Sequence, residues 1–219
     1  MERNPRAPWP VLCLVTDRTR CHNTSLADAV DRAVAGGVTL VQVREKDLPT
    51  RELLELTVQL LARVGDRAQV VVNGRADVAF AAGAGGVHLP ADGLPTAGAR
   101  VIVGEMRLVG RSVHSAAEVA AAAAEDLDYF QLGTIFLSRS HPGGTAIGLR
   151  AIERAAPFAV PLVAIGGIDS DTAGDVIRAG AAGVAVISAV LSADDPYAAA
   201  GRLREAVQHA WDAARGAGG

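Results

Sequence analysis

The most informative stretch lies in the middle of the chain, where a strand ends and a helix begins: Gly110-Arg111-Ser112-Val113-His114-Ser115. Ser112 and His114 share one strand parity, so their side chains should face the same side. Ser115 and Glu118 have the spacing of a capping box, which predicts that a helix begins there. The stretch therefore predicts His114 at the carboxyl end of a strand, where an imidazole can move protons near neutral pH. A histidine that only hydrogen-bonds a neighbouring turn is the structural alternative.

The same alternation of strand and helix runs through the whole chain. Short β-branched runs predict eight strands: Val11–Val15, Thr39–Val43, Gln69–Val72, Gly86–Leu89, Leu108–Val113, Tyr129–Leu132, Leu162–Ile165 and Val184–Ile187. Stretches rich in Ala and Leu predict helices between them: Leu26–Ala35, Arg51–Arg63, Ala76–Ala82, Ala116–Ala124, Leu149–Ala155, Thr172–Ala179 and Tyr197–Ala214. The link from Pro95 to Arg100 predicts no more than a helical turn.

This order of elements favours the α/β class and a single, closed (β/α)₈ TIM barrel. An open doubly wound sheet is the alternative, although the first strand is not followed by the Gly-x-Gly-x-x-Gly motif of a Rossmann fold. We expect an N-terminal extension at residues 1–10, the barrel domain at residues 11–214 and a flexible tail at residues 215–219.

Composition narrows the class of protein further. The chain has 219 residues, half of them hydrophobic, and a formal net charge of −3, which predicts one globular domain and no nucleic-acid partner. No apolar run is long enough to predict a membrane span or a signal peptide. The spacing of Cys13 and Cys21 fits no metal motif, so we expect a cytoplasmic chain with reduced thiols. A homo-oligomer is compatible with these features.

Polar residues on the second strand predict an anion site. Gln42 and Arg44 share the parity of the apolar interior, and Lys46 follows on the loop. Burying an amide and a guanidinium is costly unless they are paired, and two cations with an amide suit a phosphate or carboxylate. An internal ion pair of Arg44 with Glu45 or Asp47 is the structural alternative.

A second anion site is predicted after the last two strands. Gly166 and Gly167 follow the seventh strand, and Ile187 and Ser188 end the eighth. Barrels often hold a phosphate on backbone N–H groups between these two loops, and glycine allows close approach. A pair of tight turns would explain the same residues without a ligand.

The remaining candidates are weaker. Asn73 ends the third strand, but Asn-Gly also favours a turn. His88 is interpreted as a structural residue, and His141 lies in a polar, glycine-rich loop at residues 138–148. No histidine pair at i,i+4 and no strand-end cluster of carboxylates occurs, so we expect no tightly held metal.

Taken together, six motifs resemble the thiamine-phosphate synthase/thiazole tautomerase (TenI-like) superfamily over about Val11 to Ala210. They are Gln-Val-Arg-Glu-Lys at 42–46, Val-Asn at 72–73, Gly-Val-His-Leu at 86–89, Gly-Arg-Ser-Val-His-Ser at 110–115, Ile-Gly-Gly-Ile at 165–168 and Val-Ile-Ser-Ala at 186–189. The resemblance implies a (β/α)₈ barrel that acts on a phosphorylated thiazole of thiamine biosynthesis.

Two branches of the superfamily imply different reactions. Synthases join a pyrimidine-methyl diphosphate to the thiazole phosphate with Mg²⁺, which is held by aspartates at positions that match Gly74 and Gly93 here. Asp92 stands one place early, and Ser138-Arg139-Ser140-His141 replaces a family motif that carries a lysine. Glycine cannot coordinate a metal, so the sequence favours the tautomerase branch, in which the histidine at the end of the fifth strand moves the proton.

The sequence thus predicts a metal-independent thiazole tautomerase of the isomerase class, with His114 as general base and acid. Gln42, Arg44, Lys46, Asn73 and Ser112 would line the substrate pocket, and Gly166, Gly167, Ile187 and Ser188 would hold the phosphate. The first alternative is a thiamine-phosphate synthase, a transferase, and only this alternative needs Mg²⁺. The second is a non-catalytic ligand-binding or regulatory protein.

Overall fold

Eight parallel strands close into a barrel in chain order, and the first strand pairs with the last. The structure, a computed structural model, describes residues 9–22, 24–137 and 145–216. The strands are β1 Val11–Val15, β2 Leu40–Val43, β3 Gln69–Asn73, β4 Gly86–Leu89, β5 Leu108–Val113, β6 Tyr129–Gly133, β7 Leu162–Ile165 and β8 Gly183–Val186. The predicted (β/α)₈ barrel is confirmed, and each predicted strand lies within one residue of its observed bounds.

Helices follow the strands around the outside of the barrel. They are α1 Leu26–Ala35, α2 Thr50–Val64, α3 Ala76–Ala82, α4 Thr96–Val103, α5 Ala116–Ala122, α6 Leu149–Ala155, α7 Ala173–Arg178, α8 Ser188–Leu191 and α9 Pro196–Gly216. The predicted helix start is present at α5, where the Ser115 side chain accepts a hydrogen bond from the Glu118 backbone N–H at 3.2 Å. The Glu118 carboxylate in turn accepts from the backbone N–H of His114, one residue before the position that a capping box uses. No helix within the described ranges is both long and apolar enough to cross a membrane.

The helix α4 corrects one prediction, because the sequence predicted no more than a turn there. Its buried face consists of Thr96, Ala99, Arg100 and Val103, which have helical spacing. The charged Arg100 conceals this pattern in the sequence. In the structure its guanidinium is buried and donates to Asp128 Oδ2 and to the Arg107 carbonyl, both at 2.6 Å. Paired in this way, Arg100 occupies a core position.

Strand parity divides the core into two layers. One parity faces the helices and packs with them, as Leu12, Leu14 and Val41 do. The other faces the inside of the barrel, where an apolar cluster is formed by Val11, Cys13, Val15, Leu40, Val71, Leu108, Tyr129, Val163 and Ala185. Two residues further along several strands, the inward positions become polar. The interior therefore changes from apolar to polar towards the carboxyl ends of the strands.

A glycine on β5 makes room for the largest interior side chain. Gly110 pairs with Tyr129 of β6 in the sheet register. A Cβ atom on Gly110 would lie 2.1 Å from Tyr129 Cζ, which is far inside van der Waals contact. Glycine at position 110 is therefore required by the Tyr129 ring.

Candidate active site

A chain of amide side chains crosses the barrel interior. Gln131 of β6 donates through Nε2 to Gln42 Oε1 at 3.1 Å, and Gln42 donates through Nε2 to Asn73 Oδ1 at 3.0 Å. Gln42 and Gln131 are buried, while Asn73 is half-buried at the end of β3. Because the Asn73 oxygen accepts from Gln42, its amide N–H groups are not used in this chain of hydrogen bonds. Gln131 was not predicted as a site residue, although a glutamine inside an apolar strand is the same signal that identified Gln42.

A second polar group lies between β4, β5 and β6. His88 Nδ1 is 3.1 Å from Tyr129 Oη, and its Nε2 is 2.8 Å from Ser112 Oγ. Burial, with a smaller contribution from the positive charge of Arg44, lowers the pKa of His88 to about 3. Burial also raises the pKa of Tyr129 well above its ordinary value. The imidazole and the phenol are therefore both neutral at physiological pH, and Ser112 is the member of the group nearest to solvent.

The two predicted cations, Arg44 and Lys46, differ in how the structure holds them. Arg44 follows β2, and its backbone N–H donates to Thr16 Oγ1 at 2.8 Å. The two carboxylates considered as its partners bind Arg18 instead: Arg18 Nη1 lies 3.0 Å from Glu45 Oε2, and Nη2 lies 2.5 Å from Asp47 Oδ2. Within the part of the chain that the structure describes, the Arg44 guanidinium has no ion pair. Lys46 is exposed on the loop.

The glycine loop after β7 packs against the segment after β6. Gly166 and Gly167 have φ angles of 106° and 64°, which favour glycine. A Cβ atom on Gly167 would lie 2.6 Å from the Leu137 carbonyl oxygen, and the Phe136 backbone N–H donates to the Gly166 oxygen at 2.9 Å. These contacts explain both glycines without a ligand. Ile187 and Ser188 lie at the junction of β8 and α8, and the role of all four residues in phosphate binding stays a prediction.

His114 lies at the rim of the barrel and not inside it. The strand β5 ends at Val113, and the His114 side chain is 63% exposed. Its backbone N–H donates to Glu118 Oε2 at 3.0 Å, and its Nδ1 lies 3.5 Å from the same oxygen. The contacts are those of the structural alternative, in which the histidine belongs to a helix start. His141, with residues 138–144 of its loop, lies outside the described residues.

The positions that correspond to the synthase metal ligands do not fit a Mg²⁺ ion held by carboxylates. Gly74 has a φ of 71°, and its backbone N–H donates to the His88 carbonyl at 2.8 Å. At Gly93 a Cβ atom would lie 2.9 Å from Pro90 Cδ, so the turn leaves little room for a side chain. Asp92 beside it is exposed. In the described ranges no group of three or more His, Cys, Asp or Glu side chains is arranged to hold a metal.

Comparison with known proteins identifies the family. The sequence model described as thiamine monophosphate synthase matches residues 12–190. The thiamine-phosphate synthase of Anaeromyxobacter dehalogenans is 49% identical over 190 residues, which cover 84% of each chain. That of Methanoculleus marisnigri is 46% identical over 199 residues, covering 90% of this chain and 94% of the relative. The structure of thiamine phosphate pyrophosphorylase from Pyrococcus furiosus has a TM-score of 0.82 and 34% identity, covering 91% of this chain and 96% of that one.

These relatives correct the functional prediction. The superfamily is confirmed, but the tautomerase and isomerase assignment is wrong, because proteins that are nearly half identical over most of the chain are named as synthases. The prediction took the absence of two carboxylates, at positions 74 and 93, as evidence that the synthase reaction is absent. Two glycines remove metal ligands, whereas the barrel, its polar interior and its cations remain. By sequence and by fold, the chain belongs to the thiamine monophosphate synthase family.

Proposed function

We propose that this protein is a thiamine-phosphate synthase, a transferase that joins a pyrimidine-methyl diphosphate to a thiazole phosphate. The thiazole nitrogen forms a bond to the methylene carbon, the bond from that carbon to the diphosphate oxygen breaks, and its electron pair leaves with the diphosphate. The observation that carries the proposal is the high identity to curated synthases across most of the barrel.

The geometry of the barrel mouth supports this chemistry. Arg44 has no carboxylate partner among the described residues, and its backbone is fixed by Thr16. An unpaired guanidinium at the mouth suits a substrate phosphate or a departing diphosphate, because its N–H groups can neutralise the developing charge. Lys46 supplies a second, exposed cation. Asn73 and Ser112 offer neutral hydrogen bonds to the rings of the substrates.

The phosphate of the thiazole is assigned to the other side of the mouth. Backbone N–H groups at Gly166, Gly167, Ile187 and Ser188 would bind it, as barrels of this kind often do between their last two loops. Gly74 and Gly93 do not fit a Mg²⁺ ion bound by carboxylates. We therefore assign to Arg44 and Lys46 the neutralisation of the negative charge on the substrate phosphates and on the departing diphosphate. Coupling is therefore measured both with and without Mg²⁺.

The protein is incubated with both substrates, with added Mg²⁺ in one series and with a chelator in the other. Thiamine phosphate is measured by chromatography and diphosphate by an enzyme-coupled assay. We expect both products in equal amounts in at least one series. If neither series yields thiamine phosphate above the uncatalysed rate, the proposal is wrong.

Arg44→Gln tests the site directly. Loss of a charge-assisted hydrogen bond is worth about 1.5 to 3 kcal/mol, so kcat/KM for coupling should fall roughly ten-fold to a hundred-fold. Arg202→Gln is the matched control, because Arg202 is exposed on α9. If both variants couple at the wild-type rate, Arg44 does not bind the substrate.

A further inference from the structure

The hydrogen-bonded chain Tyr129–His88–Ser112 runs from the apolar interior to the barrel mouth. Tyr129 belongs to the apolar interior cluster, and His88 is fully buried above it. Ser112 is partly exposed at the other end. The two contacts, of 3.1 Å and 2.8 Å, use both ring nitrogens of His88. Because a neutral imidazole carries one proton, one ring nitrogen donates and the other accepts.

Tyr129 decides which nitrogen accepts. Its hydroxyl keeps its proton, and among the described residues its hydrogen-bond partner is His88 Nδ1. If Nδ1 carried the imidazole proton, the phenolic proton would point into the apolar cluster without an acceptor. Leaving a buried donor unsatisfied costs about 1 to 3 kcal/mol. Tyr129 therefore donates to Nδ1, and the imidazole proton lies on Nε2.

The direction of the second hydrogen bond follows. His88 Nε2–H donates to Ser112 Oγ, which then acts as the acceptor at 2.8 Å. The Ser112 hydroxyl proton is not used within this group and is free to turn towards the barrel mouth. In the opposite tautomer, Ser112 would donate to Nε2 and would offer a ligand only lone pairs.

We propose that Tyr129 is a positioning residue that holds His88 as the Nε2–H tautomer, so that Ser112 acts as a hydrogen-bond donor to the substrate. The inference rests on the proposed function and adds a rule of specificity to it. The substrate atom beside Ser112 must be an acceptor, such as an unprotonated ring nitrogen, and an N–H group at that place would face a second donor.

The tautomer is measured in the free protein by long-range ¹H–¹⁵N correlation spectroscopy, with His88 assigned by comparison with His88→Gln. We expect Nε2 with the shift of a protonated nitrogen and Nδ1 with that of an acceptor. In Tyr129→Phe neither tautomer has a partner at Nδ1, so the preference that the Tyr129 hydroxyl imposes is lost and the share of the Nδ1–H tautomer should rise above its wild-type level. Tyr197→Phe is the matched control, because Tyr197 is exposed, and it should leave the His88 shifts unchanged. An Nδ1–H tautomer in the wild-type protein would overturn the inference.

Kinetics supply a second readout that a purely structural role would not produce. If Tyr129 acts through Ser112, Tyr129→Phe should lower kcat/KM for coupling about five-fold to ten-fold in the wild-type background, and less than two-fold when Ser112 is already alanine. Equal effects in both backgrounds would contradict the proposal. Since the tautomer is measured without substrate, failure to couple would count against the proposed function alone.

Discussion

Two histidines at inward strand parity, His88 and His114, have opposite environments. His88 lies inside β4, is fully buried and has a hydrogen-bond partner at each ring nitrogen. His114 lies one residue beyond the end of β5, and its side chain is 63% exposed. Strand parity alone therefore does not bring a side chain into the barrel. The strand must continue to that residue, because only then do the neighbouring strands supply its partners.

The same difference, between residues within a strand and residues beyond its end, distinguishes two regions of the barrel mouth. Inside the strands, polar side chains are fixed by one another, as the amides of Gln42 and Gln131 are. Beyond the strand ends, side chains lie in loops, where they are exposed, as Lys46 is, or pair with residues of a loop, as Glu45 and Asp47 do with Arg18. We therefore expect substitutions in the interior to change stability and hydrogen-bond direction, and substitutions of exposed side chains at the rim to change stability little.

The largest effect is expected for Gly110→Ala. The new Cβ would lie 2.1 Å from Tyr129 Cζ, and the fully buried ring cannot move without displacing its neighbours. Overpacking of this kind costs about 3 kcal/mol of unfolding free energy, which urea denaturation measures. Gly201→Ala in α9 is the control, since its Cβ would meet only the Gly36 oxygen at 3.9 Å. An alanine at position 110 that leaves stability unchanged would show that the interior is loosely packed.

A smaller effect is expected from protonation of His88. Its pKa is about 3 in the folded protein and about 6.5 in the unfolded chain. Between these values the unfolded state binds a proton that the folded state does not, so stability falls as the pH is lowered. The expected loss from pH 7 to pH 5 is about 2 kcal/mol. The carboxyls that lose stabilisation on protonation, such as Asp47 and Asp77, have lowered pKa values and titrate below this window.

This pH dependence is checked by urea denaturation at pH 7, 6 and 5. His88→Gln should lose most of the slope, whatever its stability at pH 7. Gly201→Ala should keep it, because that substitution changes no ionisable group. If the slope is the same in wild type and in His88→Gln, His88 is not held neutral by the fold.

The smallest effect is expected for His114→Asn in the coupling reaction. Bond formation at the thiazole nitrogen with loss of diphosphate transfers no proton, so an exposed histidine at the rim has no step to perform. Coupling should stay within about two-fold of wild type, whereas loss of a general acid–base group costs roughly 10²–10⁴-fold. A loss of that size would show that His114 takes part in the reaction.

The strands could be predicted because their β-branched runs have both faces buried, which is typical of parallel barrels. Helix α4 could not, since a buried Arg100 is compatible with the core only when it is paired, and Asp128, one of its partners, is distant in the sequence. Helix α8 has only four residues, which is too short for a periodic signal.

For the site, the sequence identified side chains but not their partners. Gln42 and Arg44 were predicted as neighbours of one anion. In the structure Gln42 bonds to Asn73 and Gln131, whereas the Arg44 guanidinium has no ion pair among the described residues. Those pairings join strands that are far apart in the chain, so no local pattern could reveal them. Tyr129 was missed for the same reason, because its polar role depends on His88.

The fit between Gly110 and Tyr129 has a consequence for evolution. A larger residue at position 110 requires a smaller one at position 129, and any such replacement also removes the hydroxyl that His88 accepts from. The two positions should therefore vary together among relatives. Lineages that lose the pair should also change at position 88, because a buried imidazole without its phenol would be selected against.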